Sequence, residues 1–152
     1  MPGESKSSPR EIQNYLGRIS GPLLDRIDMH IEVPQVKFRE MSGAQPGETS
    51  AQIRERVIAA RRRQQTRFAD KPRVTCNARM GARELKIFCE LDEATRELLK
   101  HAMTEYNLSA RAYDRILKVA RTIADLAGSE KIIADHISEA IQFRSLDRQL
   151  WG

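Results

Sequence analysis

Two arginines in unlike settings carry the clearest chemical possibility in this 152-residue chain. Arg26 stands in Leu23-Leu24-Asp25-Arg26-Ile27-Asp28, just ahead of a short apolar run, and Arg111 stands in Ser109-Ala110-Arg111-Ala112-Tyr113-Asp114-Arg115. A guanidinium at a strand entrance and another at a helix start suit the two cationic contacts that a nucleotide triphosphate needs. A finger at Arg26 would meet the negative charge that phosphoryl transfer spreads over the equatorial oxygens, a contact worth about 10³ to 10⁵ in rate. Arg26 also reads as a loop arginine paired with Asp25 or Asp28, which exposed spacing of this kind often gives. Arg111 falls at the second helical position if Ser109 is the N-cap. A cation there opposes the helix dipole and needs some other benefit, either a phosphate or an ion pair such as Asp114 would offer.

A second candidate lies at residues 54–73. Arg54, Arg56, Arg61, Arg62, Arg63, Arg67, Lys71 and Arg73 face only Glu55 and Asp70, a local charge of +6 against +5 for the whole chain. The functional reading is a contact with the DNA backbone through Arg61, Arg62, Arg63 and Arg67, sensitive to salt and indifferent to sequence. The plainer reading is a solvated helix face. Aromatic residues make up 5% of the chain, too few to support base stacking along the strand.

Other chemistry finds little support. The histidines His30, His101 and His136 lack ligand-like spacing, and Cys76 and Cys89 are a lone pair 13 residues apart, so no metal site is expected. Glu90, Asp92 and Glu93 precede a helix, where negative charge is ordinary. No nucleophile–base constellation and no phosphate loop can be read. With no signal peptide and no apolar run of about 18 residues, the expected setting is cytoplasmic, with no membrane partner.

The elements that must position these residues follow from spacing. Residues 1–8 read as a disordered lead-in. Ser8, Pro9 and Glu11 announce a helix with Ile12, Tyr15, Leu16 and Ile19 on one face, stopped by Gly21-Pro22. Met29, Ile31 and Val33 alternate with His30 and Glu32 as a strand ended by Pro34. One strand is not stable alone in water, so its sheet is expected to come from a larger protein. Residues 42–49 form a Gly/Pro-rich linker.

Beyond the linker the pattern is helical. One helix is expected from about Ser50 to Ala69 with Ile53, Val57, Ala60 and Phe68 on one side, and a short one over Ala82–Phe88. Another carries Leu91, Ala94, Leu98, Ala102 and Tyr106. The next carries Tyr113, Ile116, Leu117, Ala120, Ile123, Ala124 and Ala127, capped by Gly128. A last helix begins near Asp135 with Ile137, Ala140 and Ile141. The fold class is therefore mainly α: a bundle of four principal helices at 50–152, preceded by a helix and strand at 9–41.

The stretch from Pro9 to Asp28, the stretch from Ser109 to Leu126, and the ending His136–Arg144 with Leu146-Asp147 resemble the Mg-chelatase-like AAA+ ATPases of the competence protein ComM type. The resemblance covers nearly everything from Pro9 onward. It implies a C-terminal fragment of a ring-forming ATPase, with residues 9–41 the end of the ATPase core and residues 50–152 its helical lid. It implies ATP and Mg²⁺ as cofactors held mainly by the missing core, and a homo-oligomeric, hexameric ring as the working form. It places Arg26 at the arginine-finger position, acting on the neighbouring subunit's nucleotide, and Arg111 at the sensor-2 position on the third lid helix. The family role it implies is ATP-driven translocation or branch migration on DNA during recombination of incoming DNA. Relatives instead drive Mg²⁺ insertion into a tetrapyrrole, and a helical interaction module without enzymatic activity is the remaining alternative. Family members often carry a cysteine-rich metal-binding stretch before the Pro-Arg-Glu block. Residues 1–8 contain no cysteine, so no metal site is carried over.

Overall fold

The computed structural model describes residues 8, 10, 11, 14, 23, 26–31, 33 and 47–144. The expected lead-in at 1–7, the stripe Ile12, Tyr15, Leu16 and Ile19, the Gly21-Pro22 stop, most of the linker and Leu146-Asp147 lie outside the described residues. Among those described, the architecture is helical: α1 (Ser50–Arg67), a 3₁₀ turn (Asn77–Arg79), α2 (Ala82–Phe88), α3 (Glu93–Glu105), α4 (Ala110–Leu126) and α5 (Ala134–Gln142). α4 is the central helix, against which α1, the 3₁₀ turn, α2 and α5 pack, while α3 packs on α5.

Local chemistry sets the helix limits. Thr49 caps α1: its Oγ1 accepts from the Gln52 amide at 3.3 Å, and the Gln52 side chain accepts from the Thr49 amide at 2.9 Å. Asp92 caps α3, accepting from the Thr95 amide at 2.8 Å. Bonds from the Thr95 hydroxyl and amide hold its carboxyl below the usual range. α3 ends in Asn107, whose φ of 47° is tolerated by asparagine, and the Leu108 amide closes the turn on the Met103 carbonyl at 3.0 Å. Ser109 then caps α4, accepting from the Ala112 amide at 3.1 Å, which fixes Arg111 at the second helical position. α4 stops at Gly128, with φ of 75° and the Ser129 amide bonded to the Ala124 carbonyl at 2.8 Å.

The core gathers Leu85 and Leu91 with Leu99 of α3, Ile116, Leu117, Ala120 and Ala124 of α4, and Ile137 and Ala140 of α5. Complete burial of a side chain such as Ile116 or Ile137 contributes about 1.5–3 kcal/mol. Phe68 closes one end with its ring edge-on to Phe88, the centroids 5.5 Å apart.

Three expectations need correction. On α1, Ala60 is buried, but Ile53 and Val57 are 42% and 45% exposed, because the first half of the helix runs past the bundle. On α3 the buried residues are Thr95, Leu99 and Ala102, whereas Ala94 is exposed. Leu91 and Ala102 of the expected stripe are buried and Leu98 packs on the core, so the correction is confined to Ala94, whose place is taken by its neighbour Thr95. Finally, Met29, His30, Ile31 and Val33 belong to no strand. The His30 amide instead donates to the Phe143 carbonyl at 2.7 Å, so the end of α5 takes a bond that a neighbouring strand would have taken. The alternation survives with its faces reversed: His30 is buried against the helices, while Met29, Ile31 and Val33 are 40%, 67% and 82% exposed.

Candidate functional site

The sequence-predicted arginines divide into those that face solvent and those that face the protein. Arg111 is exposed in the first turn of α4 and makes no ion pair among the described residues. Asp114 does not neutralise it there, and the unpaired N–H groups of the first turn lie beside it. Arg26 is exposed in a turn in which its amide donates to the Leu23 carbonyl at 2.9 Å. Asp28, one of the acids considered for Arg26, forms an ion pair with Arg115 of α4.

The basic stretch does not form one uniform face. Arg61, Arg62 and Arg63 are exposed. Arg61 borders an open cleft of about 400 Å³ with Gln65, Phe68, Lys71, Pro72 and Thr75. Arg63 lies over the end of α4, where its Nη1 donates to the Asp125 carbonyl at 3.4 Å, and a Cβ added to Gly128 would sit 3.2 Å from its Nη2. Arg56 is clamped by Glu48 through bonds of 2.6 and 3.0 Å.

Arg67 is the correction. Grouped above with the DNA-contacting arginines, it points inward instead. Its Nη1 donates to Asp125 Oδ2 at 2.7 Å and to Asn77 Oδ1 at 3.0 Å, and its Nη2 is paired with Asp125 Oδ1. A guanidinium committed to a fully buried carboxylate is not available to a backbone phosphate. Asp125 also accepts from the Asn77 amide group at 2.8 Å and lies 3.3 Å from Arg121 Nη2. Arg121, 3% exposed, donates to the carbonyls of Glu130 and Ser129 at 2.8 and 2.7 Å. Burial pulls the Arg121 guanidinium below its ordinary pKa, with the Asp125 carboxylate opposing that shift.

Sequence reasoning missed this cluster. The available signal was Arg121 and Asp125, spaced i, i+4 within the apolar arc of α4, where a charged pair needs further partners. Cys89 lies nearby, and burial pushes its thiol up to about 12. Among the described residues no His, Cys, Asp and Glu group is arranged to hold a metal, and no helix is long and apolar enough to cross a membrane.

With this geometry in place, comparison with known proteins identifies the lineage. Residues 47–144 match the family model described as magnesium chelatase, subunit ChlI C-terminal, and residues 2–41 match magnesium chelatase, subunit ChlI. The chain is 42% identical over 147 residues to competence protein ComM of Haemophilus influenzae, covering 96% of this chain and 28% of that relative. It is 39% identical over 147 residues to the protein YifB of Salmonella typhimurium and to that of Escherichia coli, with the same shares covered. It thus spans little more than a quarter of the length of these curated relatives. The chain belongs to the magnesium chelatase subunit ChlI family, as a Mg-chelatase-like AAA+ protein of the ComM type.

Proposed function

We propose that the chain is the C-terminal part of a ring-forming AAA+ ATPase, in which residues 9–41 complete the ATPase core, 42–49 link, and 50–152 form the lid. The observation that carries this reading is Arg111: a cation exposed in the first turn of α4, without an ion pair among the described residues, at a position where its charge disfavours the helix. A nucleotide phosphate would reverse that balance. α4 is the fourth helix of the lid counting the short α2, and the third of the longer ones.

Arg111 would read the nucleotide of its own subunit, and Arg26 would reach the γ-phosphate held by the neighbouring subunit. Mg²⁺ would neutralise the phosphate oxygens, held by residues outside these 152. The exposed Met29, Ile31 and Val33 support the division, because uncovered apolar side chains suit packing against residues of the ATPase core outside these 152. DNA is the proposed track: Arg61, Arg62 and Arg63 present three exposed cations along one turn of α1. A chelatase-type subunit is the second reading, favoured by the magnesium chelatase family match itself.

In the full-length protein, Arg26→Ala is expected to leave ATP binding nearly unchanged while lowering turnover by roughly tenfold or more. Unchanged turnover would remove the finger assignment. ATPase stimulation by DNA supports the motor reading, whereas stimulation only by a tetrapyrrole-binding partner protein supports the chelatase reading.

A further inference from the structure

The segment that carries Arg26 is tied to the helix that carries Arg111. Arg115 lies one turn beyond Arg111 on α4, about 6 Å along the axis, and its guanidinium pairs with Asp28, two residues past Arg26. Two further bonds hold the same segment. Arg144, 2% exposed at the end of α5, donates through Nη1 to the Ile27 carbonyl, and the His30 amide donates to the Phe143 carbonyl at 2.7 Å. Residues 27, 28 and 30 are thus each anchored to α4 or to the end of α5. Only the ion pair runs directly to the helix of Arg111. It is also the one contact of the three made by side chains at both ends, and both its partners are partly solvent-exposed, at 25% and 45%.

We propose that Arg115 and Asp28 form a coupling latch, with Arg115 a positioning residue that passes the placement of Arg111 on to the finger at Arg26. The inference rests on the reading of both arginines as nucleotide contacts. A helix moves as a rigid body over one turn, so a displacement of the first turn of α4 by a bound phosphate moves Arg115 with it. Asp28 follows through the ion pair, and Arg26 lies within about 7 Å of extended chain from Asp28. Occupancy of a subunit's own site would thereby set the finger it offers to its neighbour, a coupling between two sites through one shared element.

The test uses the full-length protein, with Arg115→Ala, Asp28→Ala, Arg115→Lys and the exchanged pair Arg115→Asp with Asp28→Arg. The latch predicts that each alanine variant lowers kcat about fivefold or more, holds the ATP KM within about twofold, and brings the Hill coefficient for ATP toward one. Arg115→Lys should keep most of the activity, because one cation–carboxylate contact remains. The exchanged pair should recover kcat and the Hill coefficient together. Hydrogen exchange at the His30 amide should quicken in the alanine variants and slow again in the exchanged pair.

An exchanged pair no better than the single variants would overturn the latch, as would alanine variants with wild-type kcat and cooperativity. Arg26→Ala and Arg111→Ala are measured alongside. If those two leave turnover intact, the nucleotide reading itself fails. If they cut turnover while Arg115→Ala and Asp28→Ala do not, the latch alone fails.

Discussion

Arg62 and Arg67 lie on α1, and Arg111 and Arg121 lie on α4, yet within each pair one side chain faces water and the other is enclosed. Arg67 and Arg121 converge on Asp125, which is 0% exposed and also bonded to Asn77. Arg111, Arg62 and Arg61 have no such acid within the bundle. What separates the two groups is whether a buried acceptor waits for the guanidinium. Charge density along the sequence does not sort them, since residues 61–67 read as one basic run. The inward arginines hold α1, the 3₁₀ turn and α4 together; Arg61, Arg62 and Arg111 form no ion pair among the described residues.

The largest effect should come from removing the shared acceptor. Asp125→Ala leaves two enclosed guanidiniums without their carboxylate and should cost about 3–5 kcal/mol, lowering the melting temperature by more than about 10 °C. A loss below about 1 kcal/mol would mean that the cluster does not organise the fold. Next, Arg67→Ala should destabilise by about 2–4 kcal/mol in denaturant titration, while Arg62→Ala stays within about 0.5 kcal/mol. Equal effects would erase the distinction between the two groups.

Charge reversal at Arg61, Arg62 and Arg63 should cost stability only through the Arg63 contact with the Asp125 carbonyl but weaken DNA binding, flattening the salt dependence by about 0.9 per lost phosphate contact. An unchanged salt slope would leave the outward group without a nucleic-acid role. The smallest effect concerns the interior beside Asp125. At pH 8, well below the pKa of about 12 to which burial raises the Cys89 thiol, that residue should resist alkylation until the protein unfolds. Cys76, only half-buried, should react first, and mass spectrometry after brief labelling distinguishes the two.

Much of the architecture was legible because it is written locally. The reciprocal bonds of Ser8 and Glu11, the extent of α2 over Ala82–Phe88, the Ser109 cap and the Gly128 stop are all decided within a few residues of themselves. The inward turn of Arg67 was not legible, since its acceptor lies 58 residues away and only the fold brings the two together. The same limit applied to Met29–Val33. Alternation revealed two faces there, but which face meets the helices depends on the end of α5 and on Arg144. For the candidate site, the residue types at 26 and 111 were readable. The pairing of Asp28 with Arg115 rather than with a sequence neighbour was not.

The exposed first half of α1 has a mechanical consequence. From Ser50 to Ala59 every residue faces solvent, and the first buried residue is Ala60. Ten residues at 1.5 Å each make a cantilever about 15 Å long, clamped from Ala60 onward and tied to α4 where Arg67 grips Asp125. A load applied to its tip would arrive at that clamp as torque on α4, so a polymer drawn past Arg54 would push on the same rod that presents Arg111.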